Sequence, residues 1–144
     1  MTRGDYKILI IDDDPDILSM LELAFAATPY EIQTMTDPLL AYQRIENEHF
    51  DIVITDIQMP GMDGLTLLKK IKNFNGMIQV IVITAHMTIN NTLNAFRYGA
   101  VDIFFKPFKK IEELIQATDT IALRLNRVNT ILNQLANEEK TNAQ

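Results

Sequence analysis

A chain of 144 residues, 47% hydrophobic and 22% charged, has the composition of one globular domain with a sizeable core, not of a disordered chain. A net charge of -6 with no basic stripe excludes direct attraction to nucleic-acid phosphates. There is no cysteine for a disulfide, zinc or redox site, no apolar run approaches the ~20 residues of a membrane span, and Met1–Asp5 lacks the apolar core of a secretory signal, so the expected setting is the reducing cytoplasm, away from the membrane.

Short apolar runs alternate with longer amphipathic segments. A strand over 6–11 ends at Asp12-Asp13, and Asp14-Pro15 then supplies an N-cap and a first-turn proline for a helix over 14–27. A strand over 30–34 leads to Asp37-Pro38, the same device, and a helix over 37–48. The strand over 51–55 ends at Asp56, and the turn formers of Met59-Pro60-Gly61-Met62-Asp63-Gly64 open a helix over 63–73. The strand over 78–83 ends at Thr84. A helix over 87–98, with Ile89, Leu93 and Phe96 on one stripe, stops at Gly99. The strand over 101–105 ends at Lys106-Pro107, a step at which a cis bond can fix the loop, and a last helix begins near 108. Alternation of this kind predicts an α/β fold, a parallel sheet with helices on both faces.

The last helix carries two heptad series, Ile111, Thr118, Leu125, Leu132 and Leu114, Ile121, Val128, Leu135, with Thr118 as a polar interruption. The first two heptads can pack on the sheet. At ~1.5 Å per residue the last two, about 121–137, outrun it. Their stripe predicts a parallel helical pair joining two copies, or a lead into a further domain, with Glu138–Gln144 as tail.

In an open α/β sheet, ligands bind beyond the carboxyl ends of the strands, which is where Asp12, Asp13, Asp56, Thr84 and Lys106 fall. A carboxylate can attack phosphorus to give an acyl phosphate, and Asp56 is the candidate. The adjacent charges of Asp12 and Asp13 call for a cation, and Mg²⁺ favours such oxygens: Asp13, Asp56 and a backbone carbonyl form a half-shell for it. Lys106 can pair with Asp56 and then with phosphoryl oxygens, and the Thr84 hydroxyl can donate to one of them. His49 and His86 lack metal-ligand spacing, and Gly61 and Gly64 fit no nucleotide-binding fingerprint.

The strings Ile8-Leu9-Ile10-Ile11-Asp12-Asp13-Asp14-Pro15, Thr55-Asp56-Ile57-Gln58-Met59-Pro60-Gly61-Met62-Asp63-Gly64, Ile83-Thr84-Ala85, and Gly99-Ala100 through Lys106-Pro107-Phe108, in that order, resemble the receiver domain of two-component response regulators. The resemblance covers about 5–120. It implies a flavodoxin-like, doubly wound five-stranded sheet in the order 2-1-3-4-5, with a receiver domain over 1–120 and a helical extension and tail over 121–144. It also implies that Asp56 accepts a phosphoryl group from a histidine kinase or phosphotransfer protein. Asp12, Asp13 and Asp56 hold Mg²⁺, with the Gln58 backbone carbonyl as a further ligand. Thr84 and Lys106 hold the phosphoryl oxygens. Phosphorylation then repacks the face made by the fourth helix, fifth strand and fifth helix. By the same likeness Gln58 and His86 flank the attacking water and set the dephosphorylation rate. One position departs: Ile103 stands three residues before the lysine, where the family carries Tyr or Phe, so Phe104 or Phe105 substitutes or the output change runs differently. Two alternatives share part of this chemistry. A haloacid-dehalogenase-like phosphatase would use Asp12 as nucleophile, although Asp12-Asp13-Asp14-Pro15-Asp16 lacks that family's Thr or Val. A phosphorylation-independent scaffold would leave the site unused.

Overall fold

The computed structural model describes residues 6–86 and 88–143. Met1–Asp5, Met87 at the predicted helix start and Gln144 in the predicted tail lie outside the described residues. Ten elements alternate along the chain: β1 (Lys7–Ile11), α1 (Pro15–Phe25), β2 (Glu31–Met35), α2 (Pro38–Asn47), β3 (Ile52–Asp56), α3 (Gly64–Phe74), β4 (Gln79–Thr84), α4 (Ile89–Arg97), β5 (Ala100–Phe105) and α5 (Ile111–Asn142). The strands are all parallel and ordered β2-β1-β3-β4-β5. This is the flavodoxin-like order expected from the resemblance.

The local signals act as the sequence suggests. Asp14, Asp37 and Asp63 are side-chain N-caps of α1, α2 and α3, each accepting from amides of the first turn, and prolines follow the first two. Gly99 adopts φ 107°, in the left-handed region that lets the chain leave α4 and enter β5 at once. The central strands β1, β3 and β4 are covered on both faces, which is why they read as unbroken apolar runs. Side chains alternate between two cores. Leu9, Ile11, Val53, Val80 and Val82 pack under α2, α3 and α4. Ile8, Ile10, Ile52, Ile54, Ile81 and Ile83 pack under α1 and α5. The register of β4 against β5 shifts between Val80 and Ile81, opposite Ala100 and Asp102, so β5 carries one extra residue there.

α5 departs from expectation at four points. It starts at Ile111, not 108, after an N-cap residue, Lys110, that makes no side-chain capping bond. Thr118 does not interrupt the packed stripe: it is fully buried and its hydroxyl donates to the Leu114 carbonyl, 2.9 Å away. Ile121, Ala122 and Leu125 are buried as well, so the domain covers the helix a turn past residue 120. The Tyr30 hydroxyl donates to Asp119 and ties the loop after α1 to this part of the helix. Glu138–Asn142, expected as tail, continues the helix. Nothing between Ile111 and Asn142 is Gly or Pro, and Gln, Leu, Ala, Glu and Lys are good propagators. Among the described residues no helix is long and apolar enough to cross a membrane.

Candidate functional site

Four strand ends converge. In the ladder Asp56 is level with Ile83, and Thr84 with Phe105. The Lys106 amide donates to the Thr84 carbonyl at 2.8 Å, which holds the ends of β4 and β5 together. From the end of β5 the Lys106 ammonium reaches across the sheet to two carboxylates, donating to Asp12 Oδ2 at 2.8 Å and to Asp56 Oδ2 at 3.0 Å. The other oxygen of each accepts a backbone amide: Asp14 N–H to Asp12 Oδ1 at 2.9 Å, and Gln58 N–H to Asp56 Oδ1 at 3.1 Å. Asp12 is fully buried and Asp56 is only 4% exposed, whereas Asp13 faces solvent. A ligand oxygen from each of the three lies within 4.8 Å of the others. The Lys106–Pro107 peptide is cis, as the sequence suggested.

Burial pushes the Asp12 carboxyl above the ordinary carboxylate range; the hydrogen bonds from Lys106 and from the Asp14 amide pull against it, and the nearby Asp56 charge adds to the rise. Burial also works against the Lys106 ammonium, but its bonds to Asp12 and Asp56 outweigh that and hold it above the usual lysine value. Three carboxylates lie together and one ammonium pairs with two of them, so the cluster is short of positive charge. The cluster of carboxylate oxygens suits a hard divalent cation such as Mg²⁺.

The remaining predicted residues are near but differently engaged. Thr84 is buried at the end of β4 with its hydroxyl turned into its own loop, donating to the His86 carbonyl at 3.0 Å. Gln58 and His86 are exposed beside the pocket. Ile103 is half-buried in the core under α4, while Phe104 packs on the opposite face with the α1–α5 core. Strand alternation returns Phe105 to the Ile103 side, level with Thr84 and 57% exposed.

One residue of the site escaped the sequence reading. Gly64 opens α3 directly against the backbone that follows Asp56, and its amide donates to the Ile57 carbonyl at 2.6 Å. A Cβ at this position would lie 2.4 Å from the Asp56 carbonyl oxygen and the Ile57 Cα. A glycine just after an N-cap aspartate is the only signal the sequence gives for this approach.

Residues 8–119 match the family of the response regulator receiver domain. The chain is 37% identical over 108 residues to the DNA-binding transcriptional regulator NtrC of Escherichia coli (strain K12), a match covering 75% of this chain and 23% of that protein. It is 34% identical over 114 residues to the transcriptional regulatory protein ZraR of Klebsiella oxytoca, covering 78% of this chain and 26% of that protein. The chain thus spans about a quarter of the length of these curated relatives. Among solved structures, a two-component response regulator from Clostridium difficile superposes with a TM-score of 0.79 at 29% identity, covering 85% of this chain and 99% of that one. The signal receiver domain of an HD domain-containing protein from Pseudomonas fluorescens Pf-5 gives 0.82 at 25% identity, covering 90% and 94%.

Proposed function

The chain belongs to the response regulator receiver family, a family of signalling switches, and on that premise we propose that Asp56 is its phosphoacceptor. The donor is a histidine kinase or a phosphotransfer protein in the cytoplasm. The observation that carries the reading is the shared ammonium: Lys106 holds Asp12 and Asp56 together at 2.8 and 3.0 Å, at the one edge where the strand ends open.

An Asp56 carboxylate oxygen attacks phosphorus, the bond from phosphorus to the donor imidazole nitrogen breaks, and its electron pair stays with that nitrogen. The Gln58 amide and Lys106 hold the Asp56 carboxylate in place before transfer. Afterwards Lys106 keeps a hydrogen bond for the phosphoryl oxygens, and the Thr84 hydroxyl leaves the His86 carbonyl to donate to another. Asp12, Asp13, Asp56 and the Gln58 backbone carbonyl are the groups that would hold Mg²⁺, which when bound neutralises charge on the transferring group. Movement of Thr84 frees space beside Phe105, so Phe105, rather than a ring at position 103, couples the site to the α4–β5–α5 face. Gln58 and His86, both exposed, flank the attacking water and set how readily it reaches the acyl phosphate. Transfer from small donors and self-hydrolysis are the only reactions in this reading. Its other partner is a second copy, reached through α5.

Intact mass after incubation with Mg²⁺ and acetyl phosphate tests the reading. One added phosphoryl group is expected on the wild type and none on Asp56→Asn; addition to both variants, or loss of uptake in Asp12→Asn alone, would place the acceptor elsewhere. The cation has its own readout. At ten times its dissociation constant Mg²⁺ stabilises the fold by about 1.4 kcal/mol, roughly 3–6 °C in melting temperature for a chain of this size. A melt of Asp13→Asn that responds to Mg²⁺ as the wild type does would remove Asp13 from the site.

A further inference from the structure

α5 changes its surroundings midway. Leu114, Thr118, Ile121 and Leu125 are buried by the chain's own domain, whereas Ile131, Leu132 and Leu135 are 38%, 55% and 49% exposed, with half-buried Val128 at the boundary. At about 100° per residue the buried set and the exposed set centre roughly 65° apart around the helix. The second stripe therefore looks past the domain rather than into it, and a neighbouring helix can lie along it.

The charges of this segment are polarised. Val128–Asn137 carries none, Arg124 and Arg127 precede it, and Glu138 and Glu139 follow it, with Lys140 beyond. A parallel partner, as the heptads alone suggest, would set arginine beside arginine and glutamate beside glutamate, and would align the two helix dipoles. It would also bring both domains to one end.

We propose that the second copy docks on this stripe antiparallel, through a two-fold contact centred between Ile131 and Leu132. Val128 then lies level with Leu135 of the second copy, and Ile131 with Leu132 of the second copy. Arg124 comes level with Glu139 of the second copy, Arg127 lies within one helical turn of Glu138 and Glu139 of the second copy, and by symmetry the same arrangement forms at the other end. The two domains sit at opposite ends of the helix pair. The proposal rests on the self-association named above and not on chemistry at Asp56, so phosphoryl uptake and pairing are measured and can fail separately.

The chain has no cysteine, which makes disulfide trapping clean. Leu135→Cys sits on the part of α5 outside the domain's cover and Val128→Cys at its boundary, and neither residue belongs to the two cores. Under mild oxidation neither variant is expected to crosslink to itself, while an equal mixture of the two gives a crosslinked dimer. In sedimentation the wild type is expected to dimerise with rising concentration. Arg124→Glu with Arg127→Glu should weaken that about ten-fold, the sum of several modest exposed pairs, and adding Glu138→Arg with Glu139→Arg should restore it. Self-crosslinking of Leu135→Cys would overturn the antiparallel arrangement in favour of a parallel one. A mixture that does not crosslink, or a wild type that stays monomeric to near-millimolar concentration, would overturn the docking itself.

Discussion

Gly64→Ala is expected to lower the melting temperature by about 6–12 °C and to slow phosphoryl uptake at a residue it does not touch chemically. The added methyl carbon falls 2.4 Å from the Asp56 carbonyl oxygen and 2.4 Å from the Ile57 Cα. Both are backbone atoms, so neither can swing aside as a side-chain end would. Overpacking commonly costs about 1–3 kcal/mol, and an obstacle made of main chain puts this case at the upper end. Relief requires α3 to move off the β3–α3 loop, which breaks the 2.6 Å bond from the Gly64 amide to the Ile57 carbonyl and shifts the Gln58 amide that holds Asp56 Oδ1. Gly61→Ala is the control. It has no neighbour within 4 Å of the new Cβ, but its φ of 90° makes alanine strained, at about 1–2 kcal/mol. It should melt between the wild type and Gly64→Ala. Thermal melts of the three proteins check the order, and a Gly64→Ala melt equal to the wild type's would mean that α3 does not start against the Asp56 backbone.

Much of this site could be read from the chain because each part of it sits at a strand end. Apolar runs such as Ile8–Ile11 and Ile52–Ile54 are buried on both faces, so they announce strands by composition alone, and the polar residue that ends each run must lie on the functional edge. The Asp-Pro pairs fixed helix starts to within a residue for the same local reason, since cap and proline act within one turn. What stayed hidden depends on separations that no local pattern carries. The approach of Gly64 to Asp56 brings two segments together within a turn-rich loop, and a sequence window shows only a glycine after a cap. The Thr84 hydroxyl lies beside the pocket but bonds to the His86 carbonyl, a choice set by loop geometry and not by residue type. Thr118 looked like a flaw in a heptad because a polar residue in an apolar stripe is costly unless satisfied; its bond to the Leu114 carbonyl removes that cost. The helical end of α5 is hidden for another reason: Glu138–Asn142 has no apolar periodicity and so reads as tail, while the helix that runs into it propagates through Glu138, Glu139 and Lys140, which are good helix formers.

Lys106→Met is expected to cost more stability at neutral pH than at acid pH, and to make the fold depend on Mg²⁺. The Lys106 side chain is only 12% exposed and its ammonium is shared by Asp12 and Asp56, whose side chains are 0% and 6% exposed. Removing one member of a buried pair costs about 3–5 kcal/mol, because the charges left behind keep their desolvation penalty. The pH dependence follows from Asp12, whose carboxyl burial already raises above its ordinary value. A folded carboxyl raised above its unfolded value favours the protonated form. Its contribution is therefore fully present below the unfolded value and is lost as pH rises through the folded one. Without the lysine, one of the two influences that hold Asp12 down is gone, so the folded value climbs further and the loss at neutral pH deepens. The melting-temperature gap between wild type and variant should thus narrow from pH 7 towards pH 5. Mg²⁺ should narrow it too, since a divalent cation then meets the three carboxylates without a competing ammonium. Uptake of phosphoryl by Asp56 should persist at a reduced rate, as the Asp56 carboxylate and the Gln58 amide that holds it remain. Melts at the two pH values, each with and without Mg²⁺, decide the matter. A gap that stays constant with pH, or widens in acid, would show that Lys106 does not serve to offset the buried charge of Asp12.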